Sequence, residues 1–237
     1  MMTEINVSCE PFGAIRDKSA SNRIAALASA QNDDYGKGNV EAFKRGLGDK
    51  AATMVVKEAS YELSDATIDT QIISLKSAGA DTFFHATTPK FAAQAIRKSH
   101  DLGWNPLQVI ISNVSGVSAT LKPAGLEAAK GLVTSMWMKM PGDPAWANDK
   151  GMQEYYAFAK QWASSENADD SVAAFGYNQA MMTVELLKRC GNDLTRENLM
   201  RQALSIKDLQ LPLFLLGVRI NTTRRSGCLE AIATGPF

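Results

Sequence analysis

The stretch that decides the fold is TIDTQIISLKSAGADTFFHATTPKFAAQAIRKSHDLGW, residues 67–104. It begins with an amphipathic segment in which Ile68, Ile72 and Leu75 recur every three or four residues, so they form one apolar stripe along a helix. A short apolar run over 81–86 follows and is typical of a buried strand. A second amphipathic segment opens with a proline, which the first turn of a helix tolerates. The pattern predicts two helices separated by a strand.

The same alternation extends along the chain on both sides of this stretch. Strands are predicted over 24–30, 53–59, 81–86, 107–112 and 131–138, and helices over 36–48, 67–78 and 89–103. Strands joined by helices of this length imply crossover connections and a parallel sheet that is covered on both faces. We therefore predict an α/β fold with a doubly wound parallel sheet.

After residue 138 the alternation stops. A turn-rich segment over 140–144 leads into three predicted helices, and the second of these carries Tyr177 on its apolar face. Thr195 is suited to cap the third helix, and an apolar segment over 211–221 is the one candidate strand. Because successive helices with a single strand do not complete a second sheet, this region is predicted to be a partial, mostly helical domain.

Composition and charge exclude several classes of function. The 25 basic and 25 acidic residues balance to a formal net charge of zero. No basic stripe with interleaved aromatic residues is present, so no nucleic-acid partner is predicted. No glycine-rich phosphate motif follows a predicted strand, which disfavours a nucleotide cofactor. Cys9, Cys190 and Cys228 lie far apart and lack the spacing of zinc or redox motifs. We predict no metal site and no cofactor.

The sequence also predicts no membrane-spanning or export segment. No apolar run approaches the roughly 20 residues that a membrane-spanning helix needs. The first residues, MMTEINVSCEPFG, carry acidic side chains and lack the apolar core of a signal peptide. The chain as written is therefore expected to remain in the cytoplasm.

Polar side chains lie where an open parallel sheet binds ligands, beyond the carboxyl ends of its strands. Tyr35 follows the first strand and offers a flat apolar wall plus a hydroxyl; the alternative is a surface tyrosine in a turn. Thr87 and Thr88 follow the third strand, where their hydroxyls and free backbone N–H groups could hold an anionic group. One of them could instead cap the next helix, and the two roles are compatible. Asn113 follows the fourth strand.

The titratable residues do not form a catalytic constellation. His85 ends an apolar strand and is interpreted as a core histidine with satisfied hydrogen bonds, whereas His100 lies on a helix and is expected to be solvated. Neither accompanies paired acids or a nucleophile, so the protein is predicted not to be an enzyme. Asp33 and Asp34 are interpreted as the acidic start of a helix. Packing is the simplest role of three tryptophans, Trp137, Trp146 and Trp162.

Five blocks of the sequence together resemble one family. They are QNDDYGKG (31–38), AFKRGLGDKAATMVVKEASYELSDATIDTQIISLKSAGAD (42–81), TTPKFAAQAIRKSHDLGW (87–104), GNDLTRENLM (191–200) and LPLFLLGVRINT (211–222). In combination they are similar to the branched-chain amino acid type substrate-binding proteins of ABC transporters. These are Leu/Ile/Val-binding-protein-like and have the periplasmic binding protein type I fold. The similarity runs from about residue 23 to 223.

The resemblance implies a clamp of two lobes that holds a small ligand between them. On that plan, residues 23–140 are the α/β second lobe and 141–223 are part of the first lobe with the hinge crossings, while 1–22 and 224–237 are unmatched. The first lobe is therefore expected to be incomplete, as in a truncated copy. The apolar face of the helix over 170–190 is then expected to be exposed.

The resemblance also assigns roles to polar residues. It places the Tyr35 ring against the ligand and Tyr177 near the hinge and the cleft. Amino acid binders of the family commonly have a carboxylate near position 113 for the ligand's ammonium group. Asn113 stands there instead, which leaves carboxylic acids or amides as alternative ligands. The predicted ligand-binding residues are Tyr35, Thr87, Thr88, Asn113 and Tyr177.

The function that the resemblance implies is that of the solute-binding component of an ABC importer for branched-chain amino acids or related small carboxylates and amides. The implied partners are a small-molecule ligand and the ABC permease subunits, and the implied location is the periplasm. A cytoplasmic small-ligand sensor on the same fold is the alternative, because no signal peptide is recognisable in the sequence.

Overall fold

A computed structural model describes residues 24–27, 33–163, 167–223 and 230–233. Contacts within the chain divide it into two compact units. One unit covers the described residues up to Ser135, and the other covers those from Met136 onward. The division falls close to the predicted boundary between residues 140 and 141.

The first unit is a five-stranded sheet with helices. Its strands are β1 (Ile24–Leu27), β2 (Val55–Ala59), β3 (Thr82–His85), β4 (Leu107–Ile110) and β5 (Val133–Thr134). Its longer helices are α1 (Asp34–Leu47), α2 (Asp69–Ser77) and α3 (Pro89–Asp101). All neighbouring strands pair in parallel, in the order β2-β1-β3-β4-β5. The predicted doubly wound parallel sheet is confirmed.

Short helical segments connect these elements. They are the 3₁₀ turns Gly48–Lys50 and Ser112–Val114, the π-helical segment Val117–Leu121, and the single turns Ala51–Met54 and Lys122–Ala124. Gly79 and Gly103, which follow α2 and α3, have φ angles of 68° and 61°. That left-handed conformation ends a helix and is easily reached only by glycine.

The core of the first unit lies on both faces of the sheet. Ile68, Ile72 and Leu75 are fully buried and pack with Phe83 of β3. Phe84, the next residue in β3, packs in a separate cluster. Because successive side chains of a strand point to opposite faces, the two phenylalanines anchor two different layers. The apolar stripe predicted from residues 67–78 is therefore a core-facing stripe.

The second layer is formed by α1. Val40 and Phe43 are buried beside Phe84, and the Phe43 and Phe84 rings stack with centroids 4.2 Å apart. Helices on both faces of the sheet leave only its strand ends and outer edges accessible, so a ligand that touches this unit meets the ends of the strands.

Two predicted strands end earlier than expected. The strand predicted over 107–112 stops at Ile110 because residues 112–114 form a 3₁₀ turn. The strand predicted over 131–138 is reduced to Val133–Thr134, since residues 137–139 make backbone hydrogen bonds with residues 213–215 instead. The start of the strand predicted at 53 is helical up to Met54. Residues 28–30 lie outside the described residues.

The second unit contains the three predicted helices, but the strand predicted over 211–221 is reduced to 218–221 and pairs with a strand that was not predicted. It contains α4 (Lys150–Trp162), α5 (Ser171–Cys190) and α6 (Arg196–Ala203), a 3₁₀ turn at Pro144–Trp146, and the antiparallel pair β6 (Val218–Asn221) and β7 (Glu230–Ala233). Each of its three helices begins at a side-chain cap, respectively Asp149, Asp170 and Thr195. Such caps satisfy backbone N–H groups at a helix start, and the predicted role of Thr195 is confirmed.

Packing in the second unit differs from the prediction in one aromatic residue. Met152 and Tyr155 are buried with Leu213, but Trp162 is 71% exposed. The interpretation of Trp162 as a packing residue is wrong, because it is the last residue of α4 and extends beyond the core cluster. The α5 face also shows its expected exposure, at Val172, Phe175, Val184 and Leu187.

Candidate functional site

Two predicted ligand-binding residues meet at the carboxyl edge of the sheet. Tyr35 lies in the first turn of α1, after β1, and Asn113 lies in the 3₁₀ turn after β4. The Nδ2 group of Asn113 donates a hydrogen bond to the Tyr35 hydroxyl oxygen at 3.4 Å. Asp33 holds the start of α1 in place, since its carboxylate accepts a 3.0 Å hydrogen bond from the backbone N–H of Gly36. The interpretation of Asp33 as a helix-start residue is confirmed.

A third predicted residue, Thr88, lies at the same edge and forms a hydrogen bond with Tyr61, which was not among the predicted site residues. Thr88 precedes α3 and its backbone N–H donates to the hydroxyl oxygen of Tyr61 at 3.2 Å. Tyr61 is buried, and its ring packs on Phe91 with centroids 4.2 Å apart. The Thr88 side chain does not cap α3. We call Tyr35, Tyr61, Thr88 and Asn113 the edge cluster.

Three hydrogen bonds attach the loop that carries Tyr61 to the start of α3. Besides the Tyr61 contact, the Lys90 ammonium donates to the carbonyl of Asp65 at 3.3 Å, and Gln94 donates to the carbonyl of Ala66 at 3.1 Å. Both donors belong to α3, so the loop between β2 and α2 is attached along the first two turns of that helix. The Tyr61 hydroxyl is thereby held against the helix start.

The edge cluster carries no formal charge of its own. Burial raises the pKa of the Tyr35 hydroxyl. The hydrogen bond from Asn113 lowers that pKa, whereas Tyr61 and Asp33 raise it further through charge interactions. The Tyr35 phenol is therefore neutral at physiological pH and keeps its proton. Chemically, the cluster offers hydroxyl, amide and backbone N–H groups beside an aromatic wall, which suits a small polar ligand.

Thr87 and His85 lie beneath this edge rather than at its surface. Thr87 is fully buried, and its hydroxyl has no hydrogen-bond partner in the described part of the chain. The same is true of both ring nitrogens of His85. The interpretation of His85 as a buried residue is confirmed, but its hydrogen bonds are not satisfied within the described residues. Burial lowers the pKa of His85 to about 3, and the nearby polar side chain of Gln108 opposes this only in part.

Tyr177 belongs to the second unit, on α5. Its ring contacts Tyr155 and Phe158, with centroid distances of 5.3 and 5.2 Å. Burial raises the pKa of the Tyr177 hydroxyl, and Glu154 adds to the rise. Within its own unit Tyr177 is a packing residue of an aromatic cluster, and its role in binding stays a prediction.

The residue that sequence reasoning missed is Tyr61. The loop that carries it follows β2 at the carboxyl end of the strand, but the sequence analysis assigned no role to its aromatic residue. The signal was an aromatic side chain placed two residues after β2, between Ser60 and Glu62. A large apolar ring at such a position must pack inward, and a buried phenol needs a polar partner.

Other kinds of site are not found in the described residues. Their His, Cys, Asp and Glu side chains form no group that could hold a metal ion. None of the helices in the described ranges is long and apolar enough to cross a membrane. None of the edge-cluster residues lines either of two surface grooves. One, of about 290 Å³, is lined by residues of α1 and β2, and the other, of about 470 Å³, by residues of α2 and α3.

A parallel sheet with helices on both faces, and with hydrogen-bonding side chains gathered at its carboxyl edge, defines the class of α/β folds that bind small ligands. A profile of the family described as "Periplasmic binding protein" matches residues 7–230. The chain belongs to this periplasmic binding protein family. A comparison with curated proteins gives no significant match.

Solved structures show the same fold. A substrate-binding periplasmic protein from Ralstonia solanacearum is 21% identical with a TM-score of 0.79, and the alignment covers 97% of this chain and 62% of that one. A branched chain amino acid ABC transporter protein from Thermus thermophilus with bound valine is 15% identical with a TM-score of 0.74, covering 93% and 58%. A possible leucine/isoleucine/valine-binding protein from Rhodopirellula baltica is 16% identical with a TM-score of 0.72, covering 95% and 59%.

These comparisons confirm the predicted family and its type I fold. The chain spans about 60% of the length of the structures it matches. The profile match also extends beyond the range 23–223 over which the sequence blocks were recognised.

Proposed function

We propose that this protein is the solute-binding component of an ABC importer, and that it binds branched-chain amino acids or related small carboxylates and amides. The observation that carries the proposal is the hydrogen bond between Asn113 and Tyr35, which joins the ends of two strands across 78 residues of sequence at the carboxyl edge. The valine-bound Thermus thermophilus protein, which has the same fold, supports a ligand of this size.

The proposal includes the setting in which such a component works. Its partners are the small-molecule ligand and ABC permease subunits, and its location is the periplasm, as the family description supports. The action proposed is binding and release of an unchanged solute rather than turnover. The neutral edge cluster supports this, since it presents hydrogen-bonding groups without a charged acid or base pair.

Isothermal titration calorimetry tests the proposal with a panel of valine, leucine, isoleucine, aromatic acids and short amides. We expect saturable binding of at least one panel member with one site per chain. The Tyr35→Phe substitution removes one hydroxyl from the edge cluster and should weaken that binding by roughly 3- to 10-fold, because one hydrogen bond contributes about 0.5–1.5 kcal/mol.

Ser77→Ala is the matched control. It also removes one hydroxyl, but Ser77 is the last residue of α2, at the opposite end of the sheet, where its hydroxyl donates only to the carbonyl of Ser74. Affinity should be unchanged in this variant. Binding that is absent for the whole panel would refute the proposal, and chemical conversion of a bound panel member would refute the part that excludes turnover.

A further inference from the structure

Both phenols of the edge cluster act as hydrogen-bond acceptors. A backbone N–H group can only donate, so the Tyr61 oxygen accepts in its 3.2 Å contact with Thr88. The Tyr35 oxygen accepts from Nδ2 of Asn113 at 3.4 Å, while Oδ1 of the same amide accepts from the Ser112 hydroxyl at 3.4 Å. Each phenol therefore retains its own proton, and neither proton has an acceptor in the described part of the chain.

Tyr156, in the second unit, shows the contrasting arrangement. Its hydroxyl accepts from the backbone N–H of Gly142 at 2.8 Å and also donates to Asp169 Oδ1 at 2.7 Å. Both capacities of the hydroxyl are used there. Tyr61 is only 2% exposed and uses one capacity. The Tyr61 O–H group is therefore a buried donor that has no acceptor among the described residues. A ligand can supply that acceptor.

We propose that Tyr61 determines ligand specificity, and that it forms with Tyr35 a pair of O–H donors for a carboxylate group of the ligand. This inference rests on the proposed function, since it names the group that the edge cluster recognises. Tyr35 follows β1 and Tyr61 follows β2, and because these two strands are parallel neighbours, both phenols lie at the same edge of the sheet. Burial raises the pKa of Tyr35, so this phenol keeps its proton.

The pair discriminates between acids and amides because of their different donors and acceptors. A carboxylate has two acceptor oxygens and receives one O–H from each phenol, whereas a carboxamide has one acceptor oxygen and an NH₂ donor that would face the other phenol. Hydrogen bonds to an ionised acceptor are roughly twice as strong as neutral ones. The N–H groups behind each phenol polarise the O–H groups and strengthen them as donors.

Calorimetric titration of 3-methylbutanoate and of its amide, 3-methylbutanamide, tests the inference. We expect the wild-type protein to bind the acid more tightly than the amide. Tyr61→Phe should weaken binding of the acid by on the order of tenfold and binding of the amide by less than about threefold. Tyr156→Phe, which removes a hydroxyl whose proton is already donated to Asp169, should leave the ratio of the two affinities unchanged.

The substitution is designed to keep the fold. Phenylalanine at position 61 retains the ring that packs on Phe91, and circular dichroism checks that the variant is folded. A purely structural role for Tyr61 would weaken binding of the acid and of the amide equally, and that result would overturn the inference. A wild-type protein that prefers the amide, or that binds neither compound, would also overturn it.

The outcomes separate this inference from the proposed function. If another member of the wider panel binds while 3-methylbutanoate does not, the solute-binding function stands and the carboxylate donor pair is refuted. If no panel member binds at all, both are refuted.

Discussion

His85 should make the stability of the first unit depend on pH. The side chain is fully buried, its ring lies 3.8 Å from the Phe83 ring between centroids, and neither ring nitrogen has a partner among the described residues. Burial disfavours the charged imidazolium and lowers the pKa from 6.5 to about 3. The folded protein therefore holds this histidine in its neutral form down to acid pH.

The sign of the effect follows from proton uptake by the unfolded chain. Above pH 6.5 both states hold a neutral histidine, and the residue has no pH-dependent effect. Below pH 6.5 the unfolded chain binds a proton that the folded protein excludes until pH reaches about 3, so the free energy of unfolding falls across that window. At about 1.4 kcal/mol per pH unit, the loss between pH 7.5 and pH 5.0 is about 2 kcal/mol.

Urea denaturation followed by circular dichroism, at pH 7.5 and at pH 5.0, measures this loss. His85→Leu removes the titrating group, so the variant should lose less than about 0.5 kcal/mol over the same interval. The chain contains one other histidine, His100, which is exposed on α3. His100→Gln should therefore behave like the wild-type protein. If His85→Leu keeps the full pH dependence, the assignment of the buried neutral histidine is refuted.

Two further pairs of substitutions, each a test with its control, concern packing and charge. Gly151→Ala would place its Cβ 2.4 Å from the carbonyl oxygen of Pro212 and should lower stability by about 1–3 kcal/mol, whereas Gly176→Ala, in open space within α5, should raise it by up to about 1 kcal/mol. Equal shifts in thermal melting would contradict this. Lys139→Met removes a buried ammonium that donates hydrogen bonds to the Pro212 carbonyl at 2.9 Å and to the Asp149 carboxylate at 2.7 Å. The free energy of unfolding, measured by urea denaturation, should fall by about 1–3 kcal/mol. Lys130→Met breaks only an exposed ion pair and should change stability by less than about 0.5 kcal/mol; a comparable loss would refute the distinction.

The sequence was sufficient for the elements and the sheet because both depend on local periodicity. The stripe of Ile68, Ile72 and Leu75 and the apolar run of β3 each lie within a dozen residues, and each is fully buried as predicted. Strand ends were less predictable. Residues 137 and 138 were predicted to belong to the fifth strand, but residues 137–139 bond to residues 213–215. An apolar run carries no information about which distant partner it will pair with.

The same limit explains which site residues were found. Tyr35 and Asn113 were each recognised because they follow a strand, and a parallel sheet brings such positions to one edge. The role of Tyr61 depends on a partner 27 residues away and on which atom of that partner it meets. The identity of the side chains does not predict that contact, because the group involved is the backbone N–H of Thr88, and nearly every residue type has such a group.

Thr87 and Thr88 are adjacent in the sequence but lie in different environments, because the extended chain after β3 directs their side chains to opposite faces. An extended chain points successive side chains to opposite faces, so Thr87 continues the register of Phe83 and His85 into the buried layer, where its hydroxyl is fully enclosed. Thr88 comes one residue later, at the start of α3, where it is only partly buried and its N–H meets Tyr61. Two adjacent threonines that look equivalent in the sequence thus differ in burial and in hydrogen-bond partners. A Thr88→Ala substitution removes the side-chain hydroxyl but keeps the N–H donor, so it should leave ligand affinity in calorimetry within about twofold of wild type, because the contact with Tyr61 runs through the backbone and not through the side chain. A loss of tenfold or more would show instead that the Thr88 side chain itself contacts the ligand.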